Sequence, residues 1–298
     1  MSKYVLTGDD WEHVTPGGNA TLMCDTDVKY ALHMNTLTID GVPATIAQMR
    51  THIEEVEFKI KGDSSSRMGT HTIIECTGSE YIDCILKYTD FPLEDDNGIF
   101  PIIHALPYMD QVSDGKEVIN AEDGAGLGTS DLSKVTIKLK LKAGAFVYTL
   151  ETRHAVYSGG NQPVGEIIRV LGGELQFTTS GVHNLKEDYL DGMQRGLKAL
   201  HIASTDIDRF KIRTNRTDIF EMEKAHLPYL ADIASYRTSG RVPQAGYTHI
   251  DFAGNRPQDI VDTSKWWNTD TNVEGAVSGT VRYVCETLYN PMDFADKK

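Results

Sequence analysis

The sequence predicts an all-β chain made of two similar β-sandwich units in tandem, and three observations support that prediction. Short segments of alternating polarity dominate the 298 residues, clusters of Gly, Asp, Asn, Ser and Pro separate them, and two short phrases occur twice in the same order. Alternation with a period of two is typical of half-buried strands, and the clusters supply turn chemistry. Evenly spread short strands with few helices favour antiparallel sandwiches over parallel α/β units.

The repeated phrases indicate an internal duplication. Ala31–Met34 recurs as Ala199–Ile202 at an offset of 168, and Phe58–Lys61 recurs as Phe210–Arg213 at an offset of 152. The larger first offset places an extra connection in the first unit, within Asp40–His52. A weaker third match, at an offset of 148, relates residues 100–105 to residues 248–253.

Two units of this kind suit a chain of 298 residues, because domains of about 150 residues cover one core well. We expect the boundary near Lys142–Ala145, which gives domains at residues 1–144 and 145–298. Residues 108–133 have no periodicity and predict a surface excursion of the first unit.

The alternation locates the individual strands. In Glu55–Lys61, for example, Val56, Phe58 and Ile60 fall on one face and the charged residues on the other. The predicted strands are 20–24, 30–39, 55–61, 98–104, 135–141, 147–156, 174–179, 197–202, 210–213, 247–252 and 279–288.

Few helices are predicted, at matching points of the two halves. Ser79–Tyr88 has Ser79 as a candidate N-cap and an apolar face, and Asp218–Ala225 is its counterpart, followed by a short turn at Leu227–Ile233. A helix at the same point of both copies supports the duplication.

Composition and charge exclude several functions. The net charge of −14 disfavours binding to a phosphate backbone, and Lys138, Lys140 and Lys142 alternate with apolar residues as the wet face of one strand. No apolar run of about 18 residues and no signal-peptide pattern is present, so neither a membrane span nor export by that route is expected. The cysteines lack metal-like pairing and are expected to be reduced, buried thiols: Cys24, Cys76, Cys84 and Cys285.

Three chemical hypotheses compete with simpler structural ones. Glu54, Glu55 and Glu57 resemble a glycosidase carboxylate set, but their alternation with apolar residues favours a solvated strand face. Glu94–Gly98 offers oxygen ligands for a hard cation but lacks EF-hand spacing, which favours an acidic turn. Trp266–Trp267 suits sugar stacking in a lectin, although loop packing is the more common role.

No metal enzyme is predicted either. The ten histidines include no His-Xaa-His pair of the cupin type, and His33 and His201 lie in the repeated phrase, where a structural role is the simpler account. We therefore predict no catalytic, cofactor-binding or metal-ligating residue, and no enzymatic activity.

The order of these elements resembles a known family. Gly128–Leu132 leads into a strong amphipathic strand, and Arg241–Tyr247 leads into His249–Phe252. With the two sandwiches and their insertions, these segments resemble the double jelly-roll major capsid proteins of tailless icosahedral phages, especially the corticovirus-like coat proteins and their single-stranded DNA phage relatives. The resemblance extends from about Gly18 to Leu288.

The resemblance implies two consecutive eight-stranded antiparallel jelly rolls and a structural role in the virion. Such a chain forms a homotrimer that mimics a hexagon, and trimers tile an icosahedral shell, in this group over an internal membrane. Expected partners are other trimers, penton or vertex proteins and the internal viral membrane or its proteins, with no direct nucleic acid contact. Synthesis in the host cytoplasm and structural calcium at subunit contacts are further expectations. The alternative is a carbohydrate-binding or glycoside-cleaving β-sandwich protein.

Overall fold

The structure is a computed structural model of the whole chain. It describes residues 3–8, 10–26, 28–64, 66, 68–104, 126–157, 163–165, 167–177, 181–185, 196–214, 217–227, 241–252, 261–262, 269–275, 279–289 and 291.

Strands dominate these residues. The first nine are β1 Lys3–Thr7, β2 Asn19–Cys24, β3 Tyr30–Ile39, β4 Val42–Pro43, β5 Ile53–Gly62, β6 Thr70–Cys76, β7 Ile99–Ile103, β8 Leu132–Leu141 and β9 Tyr148–Tyr157. The second nine are β10 Ile167–Phe177, β11 Gly181–Leu185, β12 Gly196–Ile202, β13 Ile207–Thr214, β14 Thr217–Glu223, β15 Thr248–Asp251, β16 Val261–Asp262, β17 Thr269–Gly275 and β18 Gly279–Tyr289. Helix α1 is Ile46–His52, and helix α2 begins as Gly78–Glu80 and continues as a π-helix over Tyr81–Lys87.

The chain forms two compact units. Unit 1 comprises Met1–Ile82 and Pro92–Ile168, with Asn290–Lys298 grouped with it, and unit 2 comprises Asp83–Phe91 and Arg169–Tyr289. The division after Ile168 lies later than the predicted boundary at 144–145, because β9 pairs with β1 and β3 of unit 1.

Unit 1 is a jelly roll. One antiparallel sheet has the order β1-β9-β3-β7, and the other has the order β2-β8-β5-β6. The strands can be numbered from one to eight along the chain if the short strand β4 is left out. The first sheet then has the order 1-8-3-6, and the second has the order 2-7-4-5. That arrangement is the double Greek key of a jelly roll.

Unit 2 repeats the same topology. Its sheets have the orders β10-β18-β12-β15 and β11-β17-β13-β14, and the short strand β16 pairs with the start of β12. Apart from the β3–β4 hairpin, each strand pairing of unit 1 therefore has an equivalent in unit 2. The predicted all-β double jelly roll is confirmed.

The extra connection of unit 1 lies where the unequal offsets place it. Between β3 and β5 the chain adds β4 and α1, whereas β12 and β13 are joined by only a short loop. The β3–β4 hairpin turns on Asp40 and Gly41, with φ of 52° and 81°. A two-residue turn with both residues at positive φ favours Asp-Gly, because that backbone twist matches the twist of the strands.

Two helix predictions need correction. Helix α2 is capped by Thr77 instead of Ser79: the Thr77 hydroxyl accepts from the Glu80 amide, and the Glu80 carboxylate accepts from the Thr77 amide in a capping box. Residues 218–225, predicted as a helix, lie largely in β14, because pairing with β13 satisfies their backbone groups. The predicted turn at Leu227–Ile233 lies almost wholly outside the described residues.

Each unit has its own apolar core. In unit 1 it is lined by Leu22, Phe58, Ile102 and Ile137, all fully buried. In unit 2 it is lined by the residues Leu175, Phe177, Leu197, Leu200, Ile202, Ile207, Phe210, Ile212, Leu227, Ile250, Val273, Val281, Tyr283 and Cys285.

The four cysteines are all buried and none of them forms a disulfide, which confirms the prediction of buried thiols. Among the described residues, no helix has the length and apolar character needed to cross a membrane.

Candidate functional site

One cysteine and three histidines converge inside unit 1. Cys24 ends β2, His33 lies in β3, His154 lies in β9 and His104 directly follows β7. The antiparallel register of β3 and β9 places His33 opposite His154. Because β2 belongs to the other sheet, the Cys24 thiol approaches this pair from across the sandwich. These four residues are called the unit 1 cluster below.

The side chains of the unit 1 cluster are close enough to interact directly. Nδ1 of His33 lies 2.6 Å from Nδ1 of His154 and 4.0 Å from Sγ of Cys24. The ring of His104 stands edge-on to that of His33, with 4.8 Å between centroids, and contacts Phe58 at 4.7 Å. The cluster therefore combines one thiol with three imidazole rings and packs against the aromatic ring of Phe58.

Burial disfavours the protonated form of two histidines of this cluster. Burial, reinforced by the nearby His104 and His154, lowers the pKa of His33 well below its usual value. Burial, reinforced by His154, lowers the pKa of His104 to about 3. Each of these two rings also has a buried Nε2 with no hydrogen-bond partner in the described part of the chain.

Unit 2 contains a second buried polar group, on the outer face of its β10-β18-β12-β15 sheet. Strand β12 contributes Lys198 and His201, and β15 and β18 contribute the partners. The unit 2 network consists of Tyr88, Lys198, His201, Arg241, His249, Asp251 and Glu286, all of them buried.

A chain of hydrogen bonds runs through the middle of this network. The Gln244 amide lies 3.0 Å from Nε2 of His249, and Nδ1 of His249 lies 2.7 Å from Nδ1 of His201. Nε2 of His201 lies 3.0 Å from Oε1 of Glu286, whose Oε2 accepts from Nζ of Lys198 at 2.6 Å.

These contacts determine both histidine tautomers. A backbone amide is always a donor, so Nε2 of His249 accepts from Gln244 and Nδ1 of His249 carries the proton. That proton is donated to Nδ1 of His201, and Nε2–H of His201 donates to Glu286. Every ring nitrogen of the pair is thereby satisfied, in contrast to the unit 1 cluster.

Two neighbouring groups keep the Glu286 carboxyl ionised in this network. Burial alone raises the pKa of Glu286, but the Lys198 ammonium and the His201 hydrogen bond outweigh burial and bring the pKa to about 2. Burial, reinforced by His201, lowers the pKa of His249 to about 2. The His249 ring also stacks on Tyr88 and Tyr247.

Asp251 connects a loop and a helix to the same sheet. Nε of Arg241 donates to Oδ2 of Asp251 at 2.9 Å, and the Tyr88 hydroxyl donates to the same oxygen at 3.3 Å. The Arg241 guanidinium also lies over the Tyr88 ring, 5.5 Å from its centroid. Burial and the Asp251 charge raise the pKa of Tyr88, so its hydroxyl keeps the proton that it donates. The π-helical turn, with the Tyr88 amide bonded to the Asp83 carbonyl, positions this side chain.

The repeated phrase does not have the same orientation in the two units. His33 shares its side of β3 with Asn35 and Leu37, towards Phe58 of the facing sheet. In unit 2, Leu200 and Ile202 line the core, so His201 between them points away from it. The two copies of the phrase thus lie in equivalent strands, but they differ in position along the strand by one residue. Each side chain of one copy therefore points to the opposite face of the sheet from its counterpart in the other copy.

The acidic strand residues singled out in the sequence have structural roles. Glu57 is paired with Lys59 and with Lys138, the latter at 2.8 Å, and Lys140 lies 3.5 Å from Glu54. Burial raises the pKa of Glu57, but its two lysine partners lower the pKa by more. Glu54 and Glu57 therefore pair with lysines of the same sheet, which favours the strand-face interpretation of this segment.

The acidic segment at residues 94–98 is a turn. Oδ1 of Asp95 accepts from the Ile46 amide at 2.8 Å, at the start of α1, and Asn97 bonds to both Glu94 and the Ile99 amide. Trp266–Trp267 and most of residues 108–133 lie outside the described residues.

Sequence reasoning missed both histidine groups. The members of the unit 1 cluster are spaced at 9, 71 and 50 positions along the chain, which matches no short ligand motif. Only the strand register brings them together. The recurrence of a histidine in both copies of the repeated phrase was the one indication available.

Comparisons with known proteins agree on the fold. Residues 176–291 match the family model "viral coat protein P2 C-terminal domain". No curated protein matches the chain by sequence. The structure of the major capsid protein P2 from bacteriophage PM2 superimposes with a TM-score of 0.77 at 13% identity, covering 97% of this chain and 98% of that chain.

Two more distant capsid structures show the same likeness. The STIV MCP has a TM-score of 0.64 at 9% identity, covering 100% of this chain and 99% of that chain. A PBCV-1 virus capsid chain has a TM-score of 0.57 at 11% identity, covering 98% of this chain and 95% of that chain. These similarities extend over both units.

Proposed function

We infer that the chain belongs to the double jelly-roll viral coat proteins and is the major capsid protein of an icosahedral virion. The observation that carries the inference is the presence of two complete jelly rolls in tandem, the second of which coincides with the coat-protein match over residues 176–291. This role is structural and needs no catalytic residue.

The physical properties of the chain suit a coat protein. A jelly roll pairs most strand edges within its own sheets, so the subunit resists uncontrolled edge-to-edge association. The net charge of −14 keeps a concentrated subunit soluble before assembly.

The proposed assembly unit is a homotrimer. Three copies of a chain with two jelly rolls of the same topology present six similar lobes, which is the number a hexagonal tile needs. Trimer contacts close by threefold symmetry, whereas contacts between trimers are expected to be smaller and more polar. The β4–α1 insertion of unit 1 makes alternate lobes of such a tile distinguishable.

Further partners follow from the proposed role. We propose that the trimers tile over an internal viral membrane, that penton or vertex proteins close the fivefold positions, and that calcium ions strengthen some subunit contacts. The support for calcium is the acidic composition, with 43 acidic against 29 basic residues.

Solution mass and microscopy test the proposal together. Light scattering of the purified full-length chain should give a mass of three chains or a multiple of three, and electron micrographs of the source particles should show pseudo-hexagonal capsomers. A stable monomer that depletes oligosaccharides from solution would instead establish the carbohydrate-binding alternative.

A further inference from the structure

We propose that the unit 1 cluster is a transition-metal site, which binds a zinc-type divalent ion through the Cys24 thiolate and the imidazoles of His33 and His154. Within the described part of the chain, these three residues are the group whose ligand atoms converge, with all three atoms within 4.8 Å of one another. Thiolate and imidazole are the donors that zinc prefers in structural sites.

The geometry is close to that of a tetrahedral ion. Zn–N bonds of about 2.1 Å and a Zn–S bond of about 2.3 Å place the nitrogens about 3.4 Å apart and the sulfur about 3.6 Å from each nitrogen. The structure has 2.6 Å between Nδ1 of His33 and Nδ1 of His154, and 4.0 Å between Nδ1 of His33 and Sγ of Cys24. Shifts of less than about 1 Å in the two rings and the thiol satisfy all of these distances.

A third imidazole packs beside the three proposed ligands. His104 contacts His33 edge-on, and its buried Nε2 has no hydrogen-bond partner within the described residues. The three convergent donors leave the fourth tetrahedral position to a water molecule, with the His104 ring packed against His33.

The comparison of the two units points to a missing ligand in unit 1. The His201–His249 pair of unit 2 has a partner for each ring nitrogen, in a chain that ends at the Gln244 amide and the Glu286 carboxylate. The His33–His154 pair has a thiol nearby in place of a carboxylate, and Nε2 of His33 has no partner among the described residues. A cation bound between the two Nδ1 atoms and the thiol accounts for the convergence of these three donors.

The donor set of the cluster favours a transition metal. Imidazoles bind a metal through a lone pair, and the Cys24 thiol binds as a thiolate, whose formation the metal itself promotes. A thiolate with imidazoles selects zinc-type ions over calcium and magnesium, which prefer oxygen.

Such an ion would join the two sheets of unit 1, since Cys24 belongs to β2 and the histidines to β3 and β9. Such a site is contained in a single chain and does not depend on the proposed function or on any assembly.

Cobalt titration of the purified full-length chain tests the site. After dialysis against a chelator and then metal-free buffer, Co²⁺ should produce a thiolate-to-cobalt charge-transfer absorption that saturates at one ion per chain, and Zn²⁺ should abolish it. Zn²⁺ at about 100 times its Kd should raise the midpoint of thermal unfolding by about 5 °C, whereas Ca²⁺ and Mg²⁺ should not.

Two variants and one control variant assign the ligands. Cys24→Ser should lose the charge-transfer band, while Cys285→Ser, which removes a buried thiol from the core of unit 2, should retain it. His154→Gln keeps the thiol but should weaken cobalt binding by at least about tenfold. No saturable band in the unmodified chain, or a band that survives Cys24→Ser, overturns the proposal. The metal titration of the unmodified chain decides the matter even if a variant fails to fold.

Discussion

Glu286→Gln should destabilise the protein strongly, although it replaces only one carboxylate oxygen by an amide nitrogen and leaves the size of the side chain unchanged. Glu286 and Lys198 have side chains only 4% and 2% exposed and lie 2.6 Å apart. Removing one charge of a buried pair leaves the other charge uncompensated, which costs about 3–5 kcal/mol.

The fixed direction of the hydrogen bonds makes the amide a poor substitute. The carboxylate accepts from both Lys198 and His201. An amide has one accepting oxygen, so whichever way the introduced glutamine side chain turns, its NH₂ group meets a donor. His201 cannot relieve this clash by changing tautomer, because the Gln244 amide fixes its neighbour His249 as an acceptor at Nε2.

A matched control is available in the same sheet. Glu174 pairs with Arg282 at 3.1 Å, with side chains 53% and 40% exposed, and Glu174→Gln should change stability by no more than about 0.5 kcal/mol. Calorimetry at pH 7 should therefore show the unfolding midpoint lowered by about 6 °C or more for Glu286→Gln and by about 1 °C or less for the control.

The double variant Lys198→Met/Glu286→Gln separates charge from packing. It should recover part of the loss, since the unpaired ammonium is gone. If Glu286→Gln and Glu174→Gln shift the midpoint equally, the assignment of the Lys198–Glu286 pair as a buried and energetically important contact is wrong.

Three further predictions follow from the structure. The pKa of His249 is about 2 in the folded chain against an ordinary value of 6.5, so its contribution to stability is complete above pH 6.5 and is lost as the pH falls. Urea unfolding should show a loss of about 2 kcal/mol from this ring between pH 6.5 and pH 5, with a smaller slope in His249→Gln, and a flat profile would contradict the buried neutral ring. In the same assay, Thr77→Ala should lower the free energy of unfolding by about 1 kcal/mol, whereas Ser79→Ala should lower it by less than about 0.5 kcal/mol. The reverse order would identify Ser79 as the N-cap of α2. Removal of divalent ions should lower the temperature at which particles dissociate, because the segments Glu94–Asp96 and Asp110–Asp123 are acidic, and unchanged dissociation after chelation counts against calcium at the contacts.

Polarity alternation locates strands well where one face is buried and the other is wet. The predicted strand 30–39 coincides with β3, and 279–288 with β18 to within one residue. The helix prediction over β14 is wrong, because the charged residues of this strand alternate weakly and do not reveal its hairpin pairing with β13.

The two histidine groups depend on facts that the linear sequence does not contain. Which face His33 occupies depends on the bulge between Tyr30 and Leu32 in the pairing of β3 with β9, and a similar irregularity lies between Leu197 and Ala199 in β12. A displacement of one residue along the strand turns a side chain to the opposite face of the sheet. The two copies of the phrase therefore have different surroundings, although their sequences are similar.

The hydrogen-bond chain of unit 2 has a donor end and an acceptor end, like a row of aligned dipoles. Its donor end is the backbone amide of Gln244, which no side-chain substitution can convert to an acceptor, and its acceptor end is Glu286. Any replacement within the row must therefore keep the same sense of donation. Only a side chain that accepts a hydrogen bond on one side and donates on the other can therefore replace His201 or His249. The position of the Gln244 amide in its loop thus determines the direction of every hydrogen bond in this row.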